Sequence, residues 1–248
     1  MKHRVLFSVS ILMLLAIFCL PIIAQPSAKA VETFVIDDFD SPDGKAWTWN
    51  VNSSRFIAEG FPKTAYVPGI PNSLKPFRDA DDPEAKVLGV QVAFDRKGDN
   101  WFEVYPVDSS SEDGKNYEIP FRGIVSQIDF WVWGANYNYT LEVLIRDADG
   151  RVVVLPACVT NFNGWRNIVV NIPSSITQHS RLRSGPKSLS FVGFRVRSNP
   201  AEYVDDFAIF FDQLKYTTNT LNNIYDGYDL GSIDFDNVDS ASDSGSAE

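Results

Sequence analysis

Three acidic doublets, Asp37-Asp38, Asp81-Asp82 and Asp205-Asp206, are the residues whose types and spacing come nearest to a catalytic pattern. Glycoside hydrolysis needs two carboxylates facing one bond. Neighbouring residues of an extended strand point to opposite faces, so each doublet offers one carboxylate per face and would need a partner from elsewhere, which nothing in the sequence singles out. Asp147-Ala148-Asp149-Gly150 looks like the opening of a calcium loop but lacks the closing Glu of the full pattern, and the same residues suit a hairpin turn. The histidines are His3 and His179 and the cysteines Cys19 and Cys158. Loss of an N-terminal segment would leave one of each, too few for a zinc site. Cys158 sits in the apolar run Leu155-Pro156-Ala157-Cys158-Val159 and is expected to be a buried small hydrophobe. G-x-S-x-G and phosphate-cradling glycine loops are absent. No catalytic residue, metal site or cofactor is therefore expected.

A different kind of chemistry is offered by Ile128-Asp129-Phe130-Trp131-Val132-Trp133-Gly134. Alternation puts Ile128, Phe130 and Val132 on one face and Trp131 and Trp133 on the other, so both faces are apolar. The two indoles stand about 6.5 to 7 Å apart along the strand, and Tyr137 and Tyr139 follow. Trp131, Trp133, Tyr137 and Tyr139 form a candidate contact surface. Such rings stack on the C–H face of a sugar, cover a subunit contact, or lie under a loop, and the sequence leaves the three open.

These residues need rigid elements to position them. The chain of 248 residues carries 14 Pro, 15 Gly and 13% aromatics, a composition suited to sheets and turns. A formal net charge of -10 excludes an electrostatic nucleic-acid binder. Apolar residues recur at every second position in Leu88–Phe94, Leu141–Ile145, Ile168–Ile172 and Val192–Val196, and further strands are expected over 34–38, 101–106, 124–134, 152–158 and 207–216. Arg195 and Arg197 take the face opposite Val192, Phe194 and Val196. Residues 141–146 and 152–158 flank an Asp-Gly turn and should pair antiparallel. About nine strands without helices long enough for parallel crossovers predict an all-β fold, a two-sheet antiparallel jelly-roll sandwich over residues 31–217.

Both ends of the chain differ from this. Met1-Lys2-His3-Arg4 followed by an apolar run to Leu20 has the form of a cleavable signal peptide, residues 1–30, with Ala28-Lys29-Ala30 as the favoured processing site and Ala24 as the alternative. Export without a stable membrane anchor is expected. Residues 218–248 contain Asp226, Asp229, Asp234, Asp236, Asp239, Asp243 and Glu248 and no Lys or Arg. Their Ser/Asp/Gly-rich end is expected to be disordered. Tyr225, Tyr228, Leu230, Ile233 and Phe235 alternate with these acids, so the segment reads either as a solvating tail or as a docking strip for a basic partner.

Taken together, Ile36-Asp37-Asp38-Phe39, the run from Ile128 to Gly134, Leu141 to Gly150, Asn163-Gly164-Trp165, Val192-Gly193-Phe194-Arg195 and Phe211-Asp212-Gln213-Leu214 resemble the spirochaete flagellar filament outer-layer (sheath) protein family, FlaA. The resemblance spans roughly residues 34 to 216. It implies a galactose-binding-like or carbohydrate-binding-module-like sandwich and a structural role in motility. The implied location is the periplasm, on the periplasmic flagellum, where the partners are flagellin core subunits and other sheath subunits. It brings no catalytic residue. An exported carbohydrate-binding module without catalytic activity, holding a glycan, is the alternative. The mature chain is expected to begin at Val31, or at Gln25 if the alternative site is used. N-terminal sequencing of the exported protein checks this, and a native protein that keeps residues 1–23 would contradict it.

Overall fold

A computed structural model describes residues 31–77, 85–111, 113–180 and 188–219. Residues 1–30, expected to be a signal peptide, the Asp81-Asp82 doublet and the acidic segment after Asn219 lie outside the described residues. The strands are β1 (Val31–Asp37), β2 (Trp47–Ser53), β3 (Lys63–Pro68), β4 (Lys86–Val92), β5 (Trp101–Asp108), β6 (Ile119–Pro120), β7 (Ile124–Ala135), β8 (Thr140–Arg146), β9 (Val152–Val159), β10 (Asn163–Asn171), β11 (Ser190–Arg197) and β12 (Phe207–Asn219). Sheet I runs β10-β7-β12-β4-β3, with β1 paired to β12; sheet II runs β2-β5-β11-β8-β9, with β6 paired to β11. All the named pairings are antiparallel. The orders β4-β12-β7-β10 and β5-β11-β8-β9 have the strand sequence of a jelly roll. The expected two-sheet sandwich is thus the fold. Strands β2, β3 and β6 are additions to the sequence reading.

The core lies between the sheets and is built by alternation. Ile128, Phe130 and Val132 of β7 face Leu141, Val143 and Ile145 of β8 and Phe194 and Val196 of β11, all buried. Phe130 meets Phe194 edge to face across the gap, with ring centroids 4.8 Å apart, and Phe194 stacks on Phe211 at 4.6 Å. Each such side chain contributes about 1.5–3 kcal/mol through removal from water. Two bulges correct the simple alternation. In β11 the register shifts between Phe191 and Gly193, so Phe191 joins Phe194 in the core and Val192 turns outward. Gly193 is required there, because a Cβ would stand 2.6 Å from the Val104 carbonyl oxygen. In β12 Gln213 adopts φ 50, which lets Phe211 and Leu214 both point inward. The predicted 141–146/152–158 hairpin is β8–β9. Its turn is fixed by Asp147, which accepts the Arg151 backbone N–H at 2.8 Å and Nε at 2.9 Å. At the outer edge of sheet II, Pro156 lies within β9 opposite Glu142, beside a register shift between Leu141 and Glu142.

The first acidic doublet fastens β1 to β2. Asp37, its side chain 0% exposed, accepts Lys45 Nζ at 2.7 Å, Trp49 Nε1 at 2.8 Å and the Phe39 N–H at 2.7 Å. Asp38, on the opposite and more exposed side, shares the same ammonium at 3.2 Å. Burial alone would pull the Lys45 ammonium down, but the Asp37 hydrogen bond and charge, joined by Asp38, outweigh it and hold the ammonium above its usual range. Burial and then the charges of Asp37, Asp38 and Asp43 push the Tyr66 phenol well up. Lys45→Met leaves Asp37 a buried charge without its cation, so the unfolding free energy is expected to fall by about 3 kcal/mol. Urea denaturation measures it, and a loss under roughly 1 kcal/mol would show the clamp to be no more than a surface pair.

Candidate functional surface

The outer face of sheet I can be read row by row from its register. Trp165 of β10 lies opposite Trp133 of β7, which pairs with Phe210 of β12, then Gly89 of β4, then Ala65 of β3. The adjacent row carries Asn167, Trp131 and Asp212, and the next Val169, Asp129, Lys215 and Val35. Both indoles of β7 therefore face outward, as alternation predicts, and both are half-buried. The rings brace one another: Trp133 meets Phe210 edge to face at 5.4 Å. Phe210 in turn lies over Gly89, where an added Cβ would come within 2.8 Å of the ring. Beside it opens an apolar trough of about 410 Å³, lined by Lys63, Ala65, Gly89, Gln91, Ala208 and Phe210 among others. Val35 and Val169, 56% and 48% exposed, extend the apolar surface on the same face. Asp129 is held by Lys215 at 3.2 Å.

The two tyrosines leave this surface. Asn136, at φ 63, re-aims the chain after β7. Tyr139 is fully buried, stacked on Phe207 at 4.4 Å, and donates its O–H to the Tyr203 carbonyl at 2.8 Å. Tyr137 packs edge-on against Phe207 at 5.4 Å and donates to the Asp205 carbonyl at 2.7 Å. Burial, followed by nearby Glu202 and Asp205 among other groups, raises the Tyr139 phenol, and burial with Asp206 and Asp205 raises that of Tyr137. Both are struts under the β7–β8 and β11–β12 loops, and Tyr139 is withdrawn from the candidate contact surface. Trp165 and Phe210 take their place. A turn-like Asn163-Gly164 before the one, and the unbroken apolar block Phe207–Phe211 around the other, hid their orientation in the sequence.

Asp205 and Asp206 sit exposed in the loop before β12. Cys158 is half-buried, and burial pushes its thiol up to about 11, away from reactivity. His179 is exposed. Among the described residues, no group of three or more His, Cys, Asp or Glu side chains is placed to hold a metal. The outer face of sheet II is polar by contrast. Arg195 bridges Glu103 at 2.8 Å and Glu142 at 3.8 Å, and Arg146 grips both Glu118 oxygens at 2.7 and 2.9 Å. Asn52, Tyr105, Asn116 and Tyr117 surround a smaller hollow of about 230 Å³ there.

The sequence profile of the flagellar filament outer layer protein FlaA matches residues 28–224. The chain belongs to the flagellar filament outer layer protein family. A flagellar filament outer layer-like protein of Brachyspira hyodysenteriae is 27% identical to it over 204 residues, covering 79% of this chain and 83% of the relative. Solved structures similar in chain path include a carbohydrate-binding module of the β-sandwich superfamily, with a TM-score of 0.44 and 10% identity. That match covers 73% of this chain, which spans only 61% of that structure's length. The family 11 carbohydrate-binding module of a Clostridium thermocellum cellulosomal cellulase gives a TM-score of 0.42 at 13% identity, covering 75% and 95% of the two chains. In this filament outer layer family member the open face of sheet I carries four large rings that the core does not need. Trp131→Ala or Trp133→Ala should therefore cost under about 1.5 kcal/mol, whereas Phe130→Ala between them should cost about 3–5 kcal/mol. Thermal and urea unfolding of the three variants checks it, and equal losses would place the indoles in the core.

Proposed function

We propose that this protein is an exported, non-catalytic subunit of the sheath around the periplasmic flagellar filament. It is laid on the flagellin core through the outer face of sheet I and supports cell motility. The observation that carries the reading is the row Trp165–Trp133–Phe210 with Trp131, an aromatic face on a member of the filament outer layer family. Aromatic residues are enriched in protein interfaces, and one face of a rigid sandwich offers a flat, repeatable contact. A sheath needs no tight single contact, because many subunits held side by side multiply weak ones. Neighbouring subunits supply the lateral contacts. The family match and the unsupported catalytic readings of the acidic doublets agree with a role in assembly rather than turnover.

A second reading, an exported carbohydrate-binding module, draws on the sheet II hollow, where Asn52, Asn116, Tyr105 and Tyr117 offer uncharged donors and acceptors suited to sugar hydroxyls. The two readings place the ligand on opposite sheets, so one set of variants separates them. In sedimentation with purified flagellin cores, Trp131→Ala/Trp133→Ala is expected to weaken association at least about tenfold, a 1.4 kcal/mol effect, and Tyr105→Ala to leave it unchanged. The reverse pattern, or absence of the polypeptide from isolated periplasmic flagella, would reject the sheath assignment.

A further inference from the structure

The outermost strand of a sheet keeps a row of N–H and C=O groups with no strand beside it, and that row is where a second chain can be added. Most edges of this sandwich are blunted. On β2 the N–H groups of Val51 and Ser53 are taken by the side chains before them, Asn50 Oδ1 at 2.8 Å and Asn52 Oδ1 at 2.9 Å. Pro156 leaves β9 without a donor at that position, and β3 lies between Pro62 and Pro68. β1 bears Glu32, a charge that opposes pairing with another acidic chain.

Strand β10 has none of these devices. It is the longest of the edge strands, nine residues without Pro, Asp or Glu. Its phase against β7 is set at both ends: Asn136 N–H donates to the Phe162 carbonyl and Ile172 N–H to the Ser126 carbonyl, each at 2.9 Å. The register between them is unshifted, so the even-numbered residues of β10 bond to β7 and the odd-numbered ones turn their backbone groups away from it. Trp165, Asn167 and Val169 thus present N–H and C=O to the open side, where no other strand among the described residues pairs with them.

The sequence of β10 also complements itself. In an antiparallel pair centred on Asn167, Trp165 stands opposite Val169, Asn163 opposite Asn171, and Arg166 opposite Ile168. Ring meets β-branched side chain, amide meets amide, and the strand's single charge meets an aliphatic group. Centring on Arg166 instead would set like charges face to face. Two copies of a chain of formal charge -10 repel in general, but β10 adds no acid to that repulsion, and Arg166 lies over the Phe162 ring at 4.2 Å.

We infer that two copies of this chain join β10 to β10, antiparallel about a twofold axis through Asn167, so that sheet I runs unbroken from one subunit into the next. Directly opposite residues of a sheet share a face, so the two aromatic faces lie side by side on one surface of the joined sheet. Pairing requires no filament. It goes beyond the sheath reading by giving the lateral contact a strand and a register.

The test is sedimentation velocity of the full mature chain over a concentration series, without filament or glycan. A reversible dimer is expected, and Asn167→Lys and Asn167→Glu should each weaken it at least about tenfold by placing like charges across the axis. An equal mixture of the two should recover it, because Lys then meets Glu. Asn167 is exposed and its amide reaches the Phe130 carbonyl only at 3.5 Å, so the melting temperatures should stay unchanged. In Asn167→Cys the introduced thiols, one on each copy and about 5.5 Å apart at Cα, should join on mild oxidation. Trp131→Ala/Trp133→Ala should leave the dimer intact, which separates this contact from the one proposed for the filament core. A wild-type chain that stays monomeric, charge variants that dimerise as well as wild type, or the absence of both recovery in the mixture and the disulfide overturns the inference.

Discussion

Strand β7 is apolar on both faces, and a pleated strand can bury only one of them against the opposing sheet. Ile128, Phe130 and Val132 take the core side, so Trp131 and Trp133 are left to the outside. Everything distinctive about the protein follows from how that second face is handled. In the row of Trp133 its neighbours in register, β10 and β12, contribute Trp165 and Phe210, while β4 contributes Gly89, which makes room for the Phe210 ring. The result is an aromatic row across the outer face of sheet I, on the side away from the core.

The opposite allocation governs the charged residues. Asp37 ties β1 to β2 through Lys45 and Trp49, Asp147 closes the β8–β9 turn on Arg151, and Arg146 and Arg195 are held by carboxylates on neighbouring strands. Backbone and side-chain hydrogen bonds from Arg151 more than offset burial and hold the Asp147 carboxyl below its usual range. Its contribution to stability is therefore present above the ordinary Asp value of about 3.9 and is lost as pH falls through the lowered native value. The first of the acidic doublets, Asp37-Asp38, serves as a cross-link, and sheet II presents a surface of matched charges while sheet I presents rings.

The division into core and surface was legible wherever period two was unbroken, as in Leu141–Ile145 and Ile128–Val132. It failed where the backbone departs from a plain pleat. Val192 was assigned inward, but a bulge at Gly193 hands its place to Phe191. Tyr137 and Tyr139 read as a continuation of the aromatic surface, but the positive φ of Asn136 sends them under the loops. Phe210 is the instructive omission. It lies in a run apolar at almost every position, where alternation carries no signal, and only its pairing with Trp133 reveals which way it faces. Side-chain type pointed to the outward rings of β7, whereas cross-strand register shows which rings lie beside them.

Pro156 within β9 bears on how that edge of the sandwich meets other molecules. Val152, Val154 and Val159 stand exposed along that outermost strand, the combination of apolar side chains and open edge from which sheets extend into neighbouring molecules. Pro156 has no N–H to offer an incoming strand, and the register shift beside it breaks the straight ladder that continued pairing requires. A strand of another molecule that approaches this side is therefore hindered from continuing the sheet, and contacts made there are left to the side chains.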